Sequence, residues 1–194
     1  MKSLYFHLHI HLYLLGNNKD FAKSENYAYI YTFTFIIMND MDKIALKQVH
    51  YEGITMQIPE IWNAESETYN EEDGTDSYSL SINASGNDPR SIDISWGSIP
   101  DGSDAYNEAC ATYEEVMNEE DLAVDEEPIL CFSFQGREAY GFNVWTDEGL
   151  PCFFFCLQIP SSGRSKLLTV LVSAPDNDEL QNLIDFVEEY LQVA

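Results

Sequence analysis

Positive charge is what this chain lacks most. It holds nine lysines and arginines against 34 aspartates and glutamates in 194 residues, a formal net charge of −25. Charge of that sign repels phosphate backbones, which argues against nucleic acid as a partner, and it disfavours anionic membrane surfaces. A basic protein would be drawn in quickly, although acidity alone also keeps a protein soluble. Histidine is scarce as well. There are four, and His7, His9 and His11 sit together near the start, so His50 stands alone in the remainder. Nucleophilic catalysis by serine or cysteine needs a base in reach, usually histidine. His50, in "LKQVHYEG", has no such signature around it and reads as a surface or turn residue. After residue 37 there is no C-x-x-C or H-x-x-x-H spacing, and no Gly-rich phosphate loop is present. No apolar run reaches the ~20 residues of a membrane helix. These gaps lead to an expectation of no catalytic residues, no metal and no cofactor.

Two unequal parts follow from the composition. Residues 1–37 contain Lys2, Lys19 and Lys23 against Asp20 and Glu25, nine of the 26 aromatic residues, and no proline. The rest of the chain therefore carries six basic and 32 acidic residues, and such a shift marks a boundary. The first part lacks the uninterrupted apolar core and small-residue cleavage site of a secretory signal. Its bias toward Lys, Asn, Tyr, Phe, Ile and Leu is what A/T-rich DNA encodes, so we expect translation to begin at Met38 or Met41. Residues 1–40 are then a non-native or disordered extension, and 41–194 form one domain.

Within that domain the apolar period is two, repeatedly. Ile54, Met56 and Ile58 alternate with Thr55 and Gln57; Tyr78, Leu80 and Ile82 with serines; Ile92, Ile94 and Trp96 with Asp93 and Ser95. Alternation of this kind predicts strands with one buried and one wet face. The turn-rich "ASGNDPR" between the last two suggests an antiparallel hairpin. A helix is predicted from Ala105 through Ala109, Cys110, Tyr113, Val116 and Met117, with Asp101 and Ser103 as capping candidates, ending before Pro128. Four strand-like runs, "ILCFSF", "EAYGFNVWT", "PCFFFCLQI" and "KLLTVLVS", come next with short Gly-bearing joints between them. After Pro175, Leu180, Leu183, Ile184, Val187, Tyr190 and Leu191 form one helical stripe, with Asp176 and Glu179 as a capping pair.

The run "PCFFFCLQIP" places Cys152 and Cys156 on one face of a strand and Phe153, Phe155 and Leu157 on the other. Both faces are apolar, so something must cover each. The predicted fold is therefore α+β: a largely antiparallel sheet sandwiched between two helices. At ~3.3 Å per residue the two cysteines stand roughly 13 Å apart, beyond the ~7 Å limit for a disulfide and beyond shared ligation of one zinc. We expect Cys152 and Cys156 to be core thiols, and extend that reading to Cys110 and Cys131. Unpaired cysteines fit a reducing cytoplasm. "NEEDGTDS" (Asn70 to Ser77) and "DGSD" (Asp101 to Asp104) do not match a calcium loop; the first is predicted to be a solvated loop and the second a helix cap.

In "GITMQIPEIWN", Gly53 to Asn63, a strand ends in Ile-Pro and a tryptophan follows shortly after. Pro59 stops the ladder, and Trp62 can fold back as an apolar lid. This stretch, with the order of hairpins, acidic helix, four meandering strands and amphipathic last helix, resembles the PsbP-like domain superfamily over roughly residues 44–192. The resemblance implies an α/β/α sandwich of bacterial, secretion-chaperone or otherwise non-catalytic type, and transfers no functional residue. Three expectations result: a cytoplasmic, non-catalytic protein-binding domain, an adaptor or effector chaperone; alternatively an acidic immunity-type protein neutralising a basic toxin; alternatively a carboxylate-dependent hydrolase. In the first two the partner is another protein.

Overall fold

The computed structural model describes residues 45–71, 74–99, 102–119, 129–146, 148–160 and 165–193. The expected extension, residues 1–40, lies outside them, as does Pro128. Ten strands and two helices follow in order: β1 (Leu46–Tyr51), β2 (Ile54–Pro59), β3 (Asn63–Asn70), β4 (Asp76–Asn83), β5 (Ser91–Ser98), α1 (Ala105–Glu119), β6 (Leu130–Phe134), β7 (Arg137–Trp145), β8 (Pro151–Ile159), β9 (Lys166–Ser173), α2 (Asn177–Tyr190) and β10 (Leu191–Val193). They form a seven-stranded sheet in the order β3-β4-β5-β9-β8-β7-β6 and a three-stranded sheet in the order β1-β2-β10. Every neighbouring pair is antiparallel.

Local chemistry sets the joints. Tyr51 pairs with Ile54 across Glu52 and Gly53, and both turn residues have positive φ, 42° and 88°. That is the two-residue turn whose twist matches the strands it joins. Gln135 (φ 51°) and Gly136 (φ 73°) close β6 onto β7 in the same way. Gln135 is not a residue that favours this region, and it is held there by α2: its backbone N–H donates to Glu188 and its amide to the carbonyls of Glu188 and Leu191. Gly141 answers a different need. It pairs with Phe155, and a Cβ there would lie 2.3 Å from the carbonyl oxygen of Phe154, so only glycine permits the phenylalanine run to approach.

Strand alternation sorts the core onto two faces. Phe153, Phe155, Leu157 and Ile159 of β8 join Leu168, Val170 and Val172 of β9 and Ile92, Ile94 and Trp96 of β5 beneath α2 and the small sheet. On the opposite face Cys152 meets Phe142, Val144 and Tyr113, while Cys156 meets Ala105, Ala109 and Leu167 of the α1 layer. The hexapeptide Cys152 to Leu157 is thus extended and roofed on either side, as its sequence requires.

Several details differ from expectation. The first strands belong to a separate sheet, so the α2 face is covered by a helix and three strands together. Leu191 leaves the predicted helical stripe and begins β10, pairing with Met56. β3, "NAESETYN", shows no apolar alternation and was not foreseen; its eight residues pair with β4 from Asn63↔Asn83 to Asn70↔Asp76. Of "NEEDGTDS", expected as a solvated loop, Asn70 ends β3 and Asp76 and Ser77 begin β4, with the Glu71 N–H donating to the Thr75 carbonyl between them (2.8 Å); Glu72 and Asp73 lie outside the described residues. The cap of α1 is Asp104, whose Oδ1 accepts from the Asn107 N–H (2.8 Å), while Ser103 donates to Glu108; Asp101 lies outside the described residues. The α2 cap is as expected, Asp176 accepting from the Glu179 N–H at 2.9 Å. No described helix is long and apolar enough to cross a membrane.

Candidate functional site

The predicted core thiols are inert where they are buried. Cys152 and Cys156 are fully enclosed. Burial first of all pushes Cys152 up to about 11, and it pushes Cys156 up to about 12 with the carboxylate of Glu108 adding to it. Both stay protonated at neutral pH, where a nucleophile needs the thiolate. The Cys156 Sγ donates to the Ala105 carbonyl at 3.0 Å. Cys110 is only partly buried and Cys131 is exposed, which corrects the expectation for Cys131: it lies on β6 at the sheet edge, where one side of the strand faces water. Its Sγ is 3.9 Å from Glu138. His50 is exposed on β1, its Nδ1 2.8 Å from the Thr55 hydroxyl across the hairpin. The small sheet that carries it contains none of the cysteines. Among the described residues no three His, Cys, Asp or Glu side chains are grouped to hold a metal ion.

What the fold does assemble is a groove where β2 runs out. Pro59 cannot continue the ladder, and the chain turns through Glu60 and Ile61, with the Trp62 N–H returning to the Pro59 carbonyl at 2.9 Å. Trp62 folds inward until it is 4% exposed and meets Phe186 of α2, ring centroids 6.5 Å apart. Lys47 holds the turn from behind, its Nζ donating to the Trp62 carbonyl at 2.5 Å, and Ser85 donates to the Ile61 carbonyl. With its backbone pinned this way, the Ile61 side chain points outward and is 71% exposed.

The second wall comes from the β4–β5 joint and α2. Arg90 lies 5.5 Å over the Trp62 ring. Its guanidinium donates to both carboxylate oxygens of Asp88, at 2.5–3.0 Å, and more weakly to Glu179 Oε2 at 3.5 Å. The guanidinium beside it, mainly through these hydrogen bonds, holds the Asp88 carboxyl below its ordinary value, and Asp88 raises Arg90 in return. Glu179, Asn182, Leu183 and Phe186 stand at the i, i+3, i+4 and i+7 positions of α2 and form the remaining side.

The result is an open, mostly apolar cavity of about 220 Å³. Pockets that enclose whole small molecules run to ~300–1,000 Å³, so this one suits a single anchoring side chain. Its rim carries Glu60, Asp88 and Glu179 against Arg90. Of the three carboxylates, Asp88 is the one tied to the guanidinium, which holds it ionised as an acceptor. Sequence reasoning nominated no binding residue. Trp62 does fold back onto the apolar core, but the partners that make it the floor of a site arrive from a helix far along the chain. The usable signal was Arg90, the one cation between Gln48 and Gly136.

The chain matches no protein-family profile and no curated protein sequence. Among solved structures it is similar to cyanobacterial PsbP (CyanoP) from Synechocystis sp. PCC 6803, with a TM-score of 0.50 and 14% identity over 78% of this chain and 94% of that one. It also aligns with LpqN, involved in cell envelope biogenesis of Mycobacterium tuberculosis, with a TM-score of 0.40 and 17% identity over 84% and 98% of the two chains. The fold is PsbP-like, as the resemblance at Gly53 to Asn63 implied.

Proposed function

We propose that this chain is a non-catalytic protein-binding domain, of adaptor or chaperone type, that takes its partner at the Trp62 groove. The observation that carries this reading is Ile61, a large apolar side chain left 71% exposed beside a preformed apolar cavity. Leu46, across from Pro59 in the small sheet, is exposed too, at 37%, so the apolar surface extends past the rim. Contiguous surface of this kind marks contact sites. Four unpaired cysteines support a reducing, cytoplasmic setting. The immunity-type alternative would use a different surface, the acidic exterior at large, and the hydrolase alternative gains nothing from this rim, where Asp88 is tied to Arg90.

A photoreactive amino acid placed at Ile61, and separately at exposed Glu114 on α1, tests the reading in the protein's own cells. A discrete adduct from position 61 alone, lost in an Ile61 variant that also carries Leu183→Asp, is the expected result. Adducts from position 114 alone, or equally from both, would move the contact away from the groove.

A further inference from the structure

We infer that the occupant of the Trp62 groove is a peptide segment presenting one bulky apolar side chain flanked by lysine or arginine. This rests on the protein-binding reading above and goes on to name the chemistry of the partner. Volume sets the first requirement. A cavity of about 220 Å³ floored by Trp62 and Phe186 accepts one large apolar anchor, which is how small interfaces concentrate their energy.

Charge sets the second requirement. Three carboxylates stand on the rim with one guanidinium, and that guanidinium is consumed by Asp88 in a forked contact. Glu179 keeps only a 3.5 Å contact with Arg90, and the Glu60 side chain has no partner among the described residues. Two carboxylates therefore remain available to a partner's cations, on opposite walls of the groove. The aromatic floor already accepts a cation, since Arg90 lies over the Trp62 ring, an arrangement favoured by the ring's negative face. An acidic or phosphorylated segment would meet repulsion from the rim and from the net charge of −25. A second copy of the chain meets that same repulsion.

The test uses the full chain and three synthetic peptides that share one apolar pattern around a central Leu or Phe, flanked by Lys, by Gln or by Glu. The reporter is the indole N–H resonance of Trp62, identified by its loss in Trp62→Phe. The Lys peptide should shift it with an affinity about tenfold above the Gln peptide at low salt, the sum of two partly screened pairs, and the Glu peptide should bind worst. Glu60→Gln with Glu179→Gln should remove the Lys advantage and leave Gln-peptide binding intact. Equal binding of the Lys and Gln peptides would overturn the charge requirement while leaving the groove as a protein-binding site. No shift with any peptide would remove the groove itself. A Trp62 shift that follows protein concentration alone, or one caused by Phe35→Asp in residues 1–44, would assign the groove to a second copy or to the chain's own leading segment, and would likewise overturn the proposal.

Discussion

On the α2 side of the seven-stranded sheet one continuous core runs from Ile82 and Ile92 through Phe155 to Phe134, and on to Met56 in the small sheet. On the α1 side the apolar contacts break into two small groups, one around Phe142 and Cys152, the other around Ala109 and Cys156. α1 packs on β7 and β8, and away from it β4 and β5 present Ser79, Ser81, Asp93 and Ser95 on the same face. The contrast explains why neighbouring strands carry different patterns. β8 lies under both layers and is apolar in both directions, whereas β4 and β5 alternate because an apolar layer covers them on one side only.

The sharpest way to break this comparison is to delete one ring on each side. Phe155→Ala removes a fully buried ring from the continuous core and should cost about 3–5 kcal/mol. Phe154→Ala, its partly exposed neighbour on the α1 side, should cost about 1–2 kcal/mol. Urea denaturation measures both, and equal losses would mean that the two faces are equally important.

Next in size is an alkaline weakness at the two buried thiols of the α1 side. Cys152 and Cys156 have folded values of about 11 and about 12 against an ordinary 9.0. Below about pH 9 both states keep the protons and nothing is lost. Between 9 and the folded values the unfolded chain releases protons that the folded one retains, so stability falls by about 1.4 kcal/mol per pH unit for each thiol. Cys156→Ala should reduce the pH 9–11 slope of the urea midpoint by about half, and Cys152→Ala with it should flatten that slope; an unchanged slope in the double variant would place the alkaline loss elsewhere.

The smallest effect is a gain. Burial raises the Asp93 carboxyl above its ordinary value, only partly opposed by a hydrogen bond from Ser81. A raised folded value means that this group favours folding at low pH and opposes it once ionised. Asp93→Asn should therefore stabilise the protein at pH 7 by about 0.5–1 kcal/mol and do nothing at pH 3. A loss at pH 7 would show that the Ser81 hydrogen bond outweighs the cost of burying the charge.

Legibility followed the same division. β2, β4, β5 and the run from β7 to β9 were readable because each buries at least one face, and burial is what imposes a period; β6 was readable from Phe132 and Phe134, which turn to the core. β3 was not, since all its residues but Ala64 are exposed and only β4's hydrogen-bonding edge makes it a strand. The second sheet escaped notice because its closing strand, Leu191 to Val193, is three residues long. Trp62 stood out in the sequence for a local reason, the proline shortly before it. Its meeting with Arg90, Glu179, Leu183 and Phe186 depends on tertiary packing and leaves no local trace.

The pairing of Met56 with Leu191 has a consequence for synthesis. All seven strands of the larger sheet lie between β2 and β10 in the chain, so β2 waits for most of the domain to be made, and domains form as whole units when such distant strands must meet. Until α2 has emerged, Trp62 has no Phe186 to rest on and the cavity has only one wall. The groove is therefore a late product of folding, in place only once segments from both ends of the fold have come together.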